Sequence, residues 1–292
     1  MYQLFCDSNS EIWYTKAQEY GLKVIRMPYT IDGTEYYYDL GENTDFKHFF
    51  TRMREGSKPI TSAINEQNYV DYFDPVLAEG KDIFYVTFSH KMSATFESMK
   101  NAIAALKEKY PDRTVRWFDT RSICVGTGMQ VEFAAEKWLA GATMDELEEA
   151  LTEFRSHVHV YFIVDDLVYL KRGGRISPFT AAIGGLLNLK PLITVKPDGF
   201  LESIGTIRGA KKVNSKFLSI LEECGCDPEA RAIKVVQADC PEMGDALIAQ
   251  IRNAYGEDVA IEYQPVGPVI GCHCGPGTLG MIFYGKSKEE EK

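Results

Sequence analysis

Residues 83–88, Ile83-Phe84-Tyr85-Val86-Thr87-Phe88, form a nearly continuous apolar run. That is the pattern of a strand buried on both faces. A strand covered on both sides needs a layer of helices above and below its sheet. The flanking sequence supplies them. Residues 65–79 read as a helix interrupted by a proline, and the polar loop 89–95 leads into a helix ending near residue 109. A strand at 114–118 follows, then helices at 126–140 and 144–156. Upstream, residues 2–6 read as a short buried strand. Asp7-Ser8-Asn9-Ser10 follows as a turn able to accept hydrogen bonds from the first amides of a helix over 11–20. A second strand is expected at 22–27, with a hairpin arm at 33–38 after the Asp32-Gly33 turn. A helix starting at 44–46 carries Phe46, Phe49, Phe50 and Met53 at i, i+3, i+4, i+7 spacing. Strands alternating with helices indicate an α/β domain with a mostly parallel sheet.

The texture changes near residue 158. An apolar run at 159–164 is followed by the basic, glycine-rich Leu170-Lys171-Arg172-Gly173-Gly174-Arg175-Ile176 and an apolar stretch at 181–187. Strands at 189–195, 233–238 and 261–265 then alternate with helices at 213–224 and 243–255. A chain of 292 residues is long enough for two domains with separate cores. We place the division between an N-terminal α/β lobe, 1–157, and a C-terminal α/β lobe, 158–286.

The net charge of −10 argues against binding nucleic acid, which depends on neutralising phosphates with Lys and Arg. The sequence has no apolar run of about 20 residues, so no spanning helix is expected. The N-terminus lacks the basic start and apolar stretch of a signal peptide, which points to the cytoplasm. Seven scattered cysteines do not suggest a disulfide framework. Cys272-His273-Cys274 is the tightest cluster. Taken as extended, its neighbours point to opposite faces and do not converge on a metal. No metal or cofactor is expected.

In an open α/β sheet, ligands bind beyond the carboxyl ends of the strands. Small hydroxyl residues stand at such places here: Thr61 and Ser62 after Pro59-Ile60, and Ser89 and Ser93 after the strand ending at Phe88. Ser93-Ala94 also precedes a helix, whose free amides and dipole favour an anion. The plain alternative is that Thr61 and Ser93 are helix caps. His273 lies within Gly271-Cys272-His273-Cys274-Gly275-Pro276-Gly277-Thr278-Leu279-Gly280, where so many glycines signal tight turns or close backbone approach to a ligand. It is either a structural hydrogen-bonding residue or a donor to an acidic ligand. Arg172, Arg175 and Arg208 adjoin glycines and could meet an anion or a partner, or be solvated surface charge.

These segments, in this order, resemble the DegV family over nearly the whole chain. The resemblance is carried by Cys6-Asp7-Ser8, Pro59-Ile60-Thr61-Ser62, the loop 89–95 and Phe118-Asp119-Thr120. It continues through Leu170-Lys171-Arg172-Gly173-Gly174-Arg175-Ile176, Asn188-Leu189-Lys190-Pro191, Arg208-Gly209-Ala210-Lys211-Lys212 and the stretch 273–280. It implies two α/β lobes with a long-chain fatty acid between them, its acyl chain in a buried tunnel. On that pattern Thr61, Ser62, Ser93, the Ala94 amide and His273 hold the carboxylate. Arg172, Arg175 and Arg208 lie nearer the mouth, for a phosphorylated head group or a partner. A fatty acid kinase would phosphorylate the bound ligand to an acyl phosphate, and the binding protein would do no chemistry itself. The chain departs from the family pattern at Ala63-Ile64, where Gln-Pro is usual. Ala94 stands for glycine, Ser89-His90 for two serines, Cys124 for serine and Cys274 for threonine. An alternative is a hydrolase or acyltransferase with Ser93 or Cys124 as nucleophile and His273 as base. No Gly-x-Ser-x-Gly elbow supports that reading. Energetics favour a lipid. Some ~15 buried methylenes at about 0.8 kcal/mol each outweigh a head-group hydrogen bond of ~1–3 kcal/mol.

Overall fold

A computed structural model describes residues 1–176 and 189–288. The first sheet is entirely parallel, in the order β2-β1-β6-β7: β1 (Tyr2–Asp7), β2 (Lys23–Ile25), β6 (Asp82–Thr87) and β7 (Val115–Asp119). Its central strand β6 is buried from Ile83 onward, as the apolar run requires. Helices α1 (Tyr14–Glu19), α3 (Glu66–Ala78) and α4 (Thr95–Lys109) connect and cover the strands. A smaller antiparallel sheet, in the order β4-β3-β5, joins β3 (Pro28–Ile31), β4 (Thr34–Tyr37) and β5 (Ile60–Thr61), with α2 (Phe46–Arg54) inserted between β4 and β5.

The second large sheet is mixed, in the order β10-β9-β8-β13-β11-β12. It comprises β8 (Val158–Ile163), β9 (Leu189–Val195), β10 (Leu201–Arg208), β11 (Ile233–Gln237), β12 (Ile261–Pro265) and β13 (Leu279–Tyr284). Helices α8 (Ala210–Glu223) and α9 (Pro241–Tyr255) pack on its outer face around Phe217, Leu221, Leu247 and Ile251. Helices α5 (Val125–Leu139) and α6 (Met144–Ser156) link the two large sheets, and α7 (Val168–Arg172) and α10 (Pro268–Cys274) complete the described helices. The architecture is the two-lobed α/β arrangement expected.

Several local expectations are corrected. The first helix starts at Tyr14 rather than residue 11. Ser8–Ser10 instead forms a 3-10 turn, with the Asp7 carboxylate accepting from the Asn9 amide, and Glu11 leaves it with φ 50°. That left-handed residue blocks helix growth for one turn. The strand expected at 22–27 stops at Ile25, and Pro28 opens β3 in a different sheet. Cys272-His273-Cys274 is the last turn of α10, not an extended segment. Pro268 starts that helix, and Gly275 ends it at φ 75°. The glycine-rich reading of 271–280 also hid β13, the strand between β8 and β11. The apolar stretch 181–187 lies outside the described residues.

A buried ion network ties the lobes together. Lys234 Nζ on β11 donates to both carboxylate oxygens of Glu132 on α5, at 2.8 and 2.9 Å, and to Glu262 on β12 at 2.5 Å. Lys16 on α1 bridges the same two carboxylates at 3.0 and 2.6 Å.

Candidate functional site

The strand order of the parallel sheet reverses between β1 and β6, the place where such sheets open a crevice. Asn9 follows β1, and Phe88 follows β6. Both line a cavity between the two large sheets that offers about 940 Å³ of free space including its mouth.

Strand periodicity builds one wall. Val160 and Phe162 on β8 and Gly280 and Ile282 on β13 face the cavity, as alternate residues of a strand must. Gly280 sits in register between Phe162 and Val236. A Cβ there would lie 2.8 Å from Val236 Cγ2, so glycine keeps a trough open along the wall. Val269, Ile270, His273 and Cys274 present one face of α10 as a second wall. Met27, Phe88, Met92, Leu170 and Leu201 add to a lining that is mostly apolar.

A polar cluster stands against this lining. Thr61 Oγ1 and His273 Nε2 are hydrogen-bonded at 2.8 Å, joining β5 to α10. Arg175 Nε donates to the Met92 carbonyl at 3.0 Å, and another guanidinium N–H reaches the Gly173 carbonyl. Ser93 adjoins Met92, and Ser62 adjoins Thr61; both line the cavity. Gly173 packs against the His273 ring, so that a Cβ at this position would collide with Nδ1. The glycine in Arg172-Gly173-Gly174-Arg175 thus admits the imidazole. Burial, with the nearby Arg175 charge adding to it, lowers the His273 pKa from 6.5 to about 4. The ring is therefore neutral at pH 7, and its buried Nδ1 has no partner among the described residues. Among the described lining residues, only Arg175 carries a formal charge at that pH.

The structure gathers Thr61, Ser62, Ser93, Arg175 and His273 around one cavity. Thr61 is not a helix cap; it lies in β5. Ser93 does act locally at α4, its Oγ accepting from the Thr95 amide at 3.2 Å. Ala94 is exposed, at the N-cap of α4, and does not line the cavity. Arg172 and Arg208 are exposed away from the lining, with Arg172 stacked 5.4 Å from the Tyr169 ring centroid. Sequence reasoning missed Asn9, hidden in a segment read only as a turn, and Glu11. Glu11 is buried, accepts from Cys124 Sγ at 2.9 Å and from the Gly267 amide at 2.8 Å, and has its pKa pushed up to about 7 by desolvation. Cys124 lines the cavity, but its pKa is raised well above the usual thiol value by burial and by Glu11. No Ser93–His273 hydrogen bond occurs; the hydroxyl that His273 meets is that of Thr61.

An apolar cavity with a polar cluster holding one cation has the lining to receive an amphipathic anion. The model of the DegV family, described as uncharacterised proteins, matches residues 1–286. The chain belongs to the DegV family. It is 35% identical over 287 residues to a DegV domain-containing protein of Clostridium perfringens, covering 98% of each chain. Among solved structures it is similar to a DegV family protein from Thermus thermophilus described for fatty acid binding. That match has a TM-score of 0.84 and 28% identity, over 97% of this chain and 99% of the other. It is also similar to DegV from Bacillus subtilis, a fatty acid binding protein. There the TM-score is 0.81 and the identity 26%, over 97% and 99% of the respective chains.

Proposed function

We propose that this chain binds one long-chain fatty acid, with its tail in the cavity and its carboxylate held by Thr61, Ser62, Ser93 and His273 beside Arg175. In this reading a partner fatty acid kinase phosphorylates the presented carboxyl group in the cytoplasm, and the chain itself acts as a non-catalytic carrier. The cleft lies between lobes divided at residues 157 and 158. Exposed Arg172 and Arg208 serve the partner or a phosphorylated head group.

The observation that carries this reading is the lining: apolar along the walls, with one cation and a set of hydroxyls gathered together. The tail then supplies affinity at about 0.8 kcal/mol per buried methylene, and the polar cluster fixes orientation. The fatty acids bound by the Thermus thermophilus and Bacillus subtilis relatives support it. Among the described residues, no helix is long and apolar enough to cross a membrane.

The test is to denature the purified protein, extract it and identify released lipid by mass spectrometry. About one fatty acid per chain is expected. A lipid-free protein that binds none of a panel of fatty acids would overturn the reading. The kinase step is tested separately, by acyl-phosphate formation when loaded protein is mixed with a candidate kinase and ATP.

A further inference from the structure

The cavity contains a second polar point. Asn9 lines it and is only 6% exposed. Its Oδ1 is sealed from solvent and has no hydrogen-bond partner among the described residues. Its backbone N–H donates to Asp7 Oδ1 at 3.0 Å, but its side chain is bonded to none of the described residues. A buried carboxamide left unpaired is disfavoured, and native proteins rarely leave one so.

Asn9 shares no hydrogen bond with the head-group cluster. The hydrogen bonds that fix its segment run to Met27, Tyr85, Phe88, Cys124 and Gly267. Those of the cluster run among Thr61, His273, Met92 and Arg175. With its carboxylate on the cluster, a ligand that fills the cavity would bring another part of its chain to Asn9.

We infer that Asn9 selects a fatty acid carrying a hydroxyl group along its chain, and that the cavity is built for hydroxylated rather than plain acyl chains. A hydroxyl suits the site better than a keto group, because the buried orphan is an acceptor and needs a donor. It also suits the amide in either orientation, since it both donates and accepts. A saturated chain would instead press methylenes onto an unpaired carbonyl.

This inference rests on the fatty-acid reading above. The test is competition on delipidated full-length protein, read by native mass spectrometry. The competitors are stearic acid and hydroxystearic acids bearing the hydroxyl at successive mid-chain positions. Wild type should prefer at least one hydroxy isomer about tenfold, the scale of one buried hydrogen bond. Asn9→Leu, of similar volume, should erase that preference and bind stearic acid at least as well as wild type. Asn9→Ala serves the same purpose if Asn9→Leu does not fold. Stearic acid bound as tightly as every hydroxy isomer by wild type would overturn the inference while leaving the carrier function intact. So would a preference that survives the Asn9 substitutions. Failure to bind any fatty acid would instead sink the underlying reading.

Discussion

Gly173→Ala isolates the contact on which the head-group cluster depends. Gly173 has φ −72°, open to any residue, so the backbone itself does not resist alanine. By reducing the freedom of the unfolded chain, the change would stabilise by ~0.4–1 kcal/mol if nothing else responded. The new methyl, however, would sit 3.1 Å from His273 Cε1 and closer still to Nδ1. The ring is largely buried and is tethered to Thr61 at 2.8 Å, so it cannot turn away without losing that bond. Overpacking costs about 1–3 kcal/mol, and the lost hydrogen bond about 1 kcal/mol more. The net loss is on the order of 1–3 kcal/mol, or roughly 2–5 °C in Tm for a chain of this size. Thermal denaturation and fatty-acid titration of delipidated protein measure both consequences. Fatty-acid affinity should fall about tenfold if one head-group hydrogen bond is lost. Gly174→Ala is the control: at φ 69° it strains the backbone, but its Cβ meets nothing within 4 Å, so affinity should hold. In a His273→Ala background the Gly173 methyl has no ring to strike, and the added cost should vanish. Gly173→Ala protein with wild-type Tm and affinity, or a cost that persists without the imidazole, would refute the reasoning.

Other expectations follow from the same geometry. Burial lowers His273 and His159 to about 4, below their unfolded value of 6.5. The stability these two contribute is therefore present above pH 6.5 and lost as pH falls toward 4, and His273→Gln should flatten part of that decline in urea midpoints. Glu11 has the opposite sign: raised to about 7 from 4.5, its contribution is present below pH 4.5 and lost as pH rises through 7. Glu11→Gln should flatten the alkaline decline, read in the same titration. Val269→Phe, on the cavity wall, should shorten the preferred acyl chain, each excluded methylene costing about 0.8 kcal/mol in a binding series. Lys234→Met leaves Glu132 with Lys16 alone and should cost about 3 kcal/mol of stability by urea denaturation.

Much of the scaffold was legible because its signals are local. The apolar run at 83–88 specified β6, and the helix read at 144–156 is α6, which the structure starts with a Thr143–Glu146 capping box. Thr61, Ser93 and His273 were legible as candidates because they stand at strand ends or among glycines. Their convergence was not, since β5, α4 and α10 meet only in three dimensions. β13 was hidden because its glycine-rich approach masked the apolar run behind it. The helical state of 272–274 was missed because Pro268 and Gly275 act as start and stop signals only once the segment between them is taken as a unit. Asn9 looked like a turn residue because that is its backbone role; its side chain's isolation depends on what the rest of the fold withholds from it.

Helix α5 fastens the two lobes to each other across the middle of the molecule. Gly128 lies against the Ser10 backbone in one lobe, and Gly126 lies against Val160 in the other. Only glycine lets a single helical turn touch both so closely, and the Lys16–Glu132–Lys234–Glu262 network fastens the same seam. Lobes fastened along that seam would resist swinging apart. If the proposed fatty acid binds there, its loading and release would depend on small movements of side chains at the entrance, and it should leave slowly enough to survive purification. A partner would meet almost the same outline whether the carrier is full or empty, and would have to sense the load at the entrance alone.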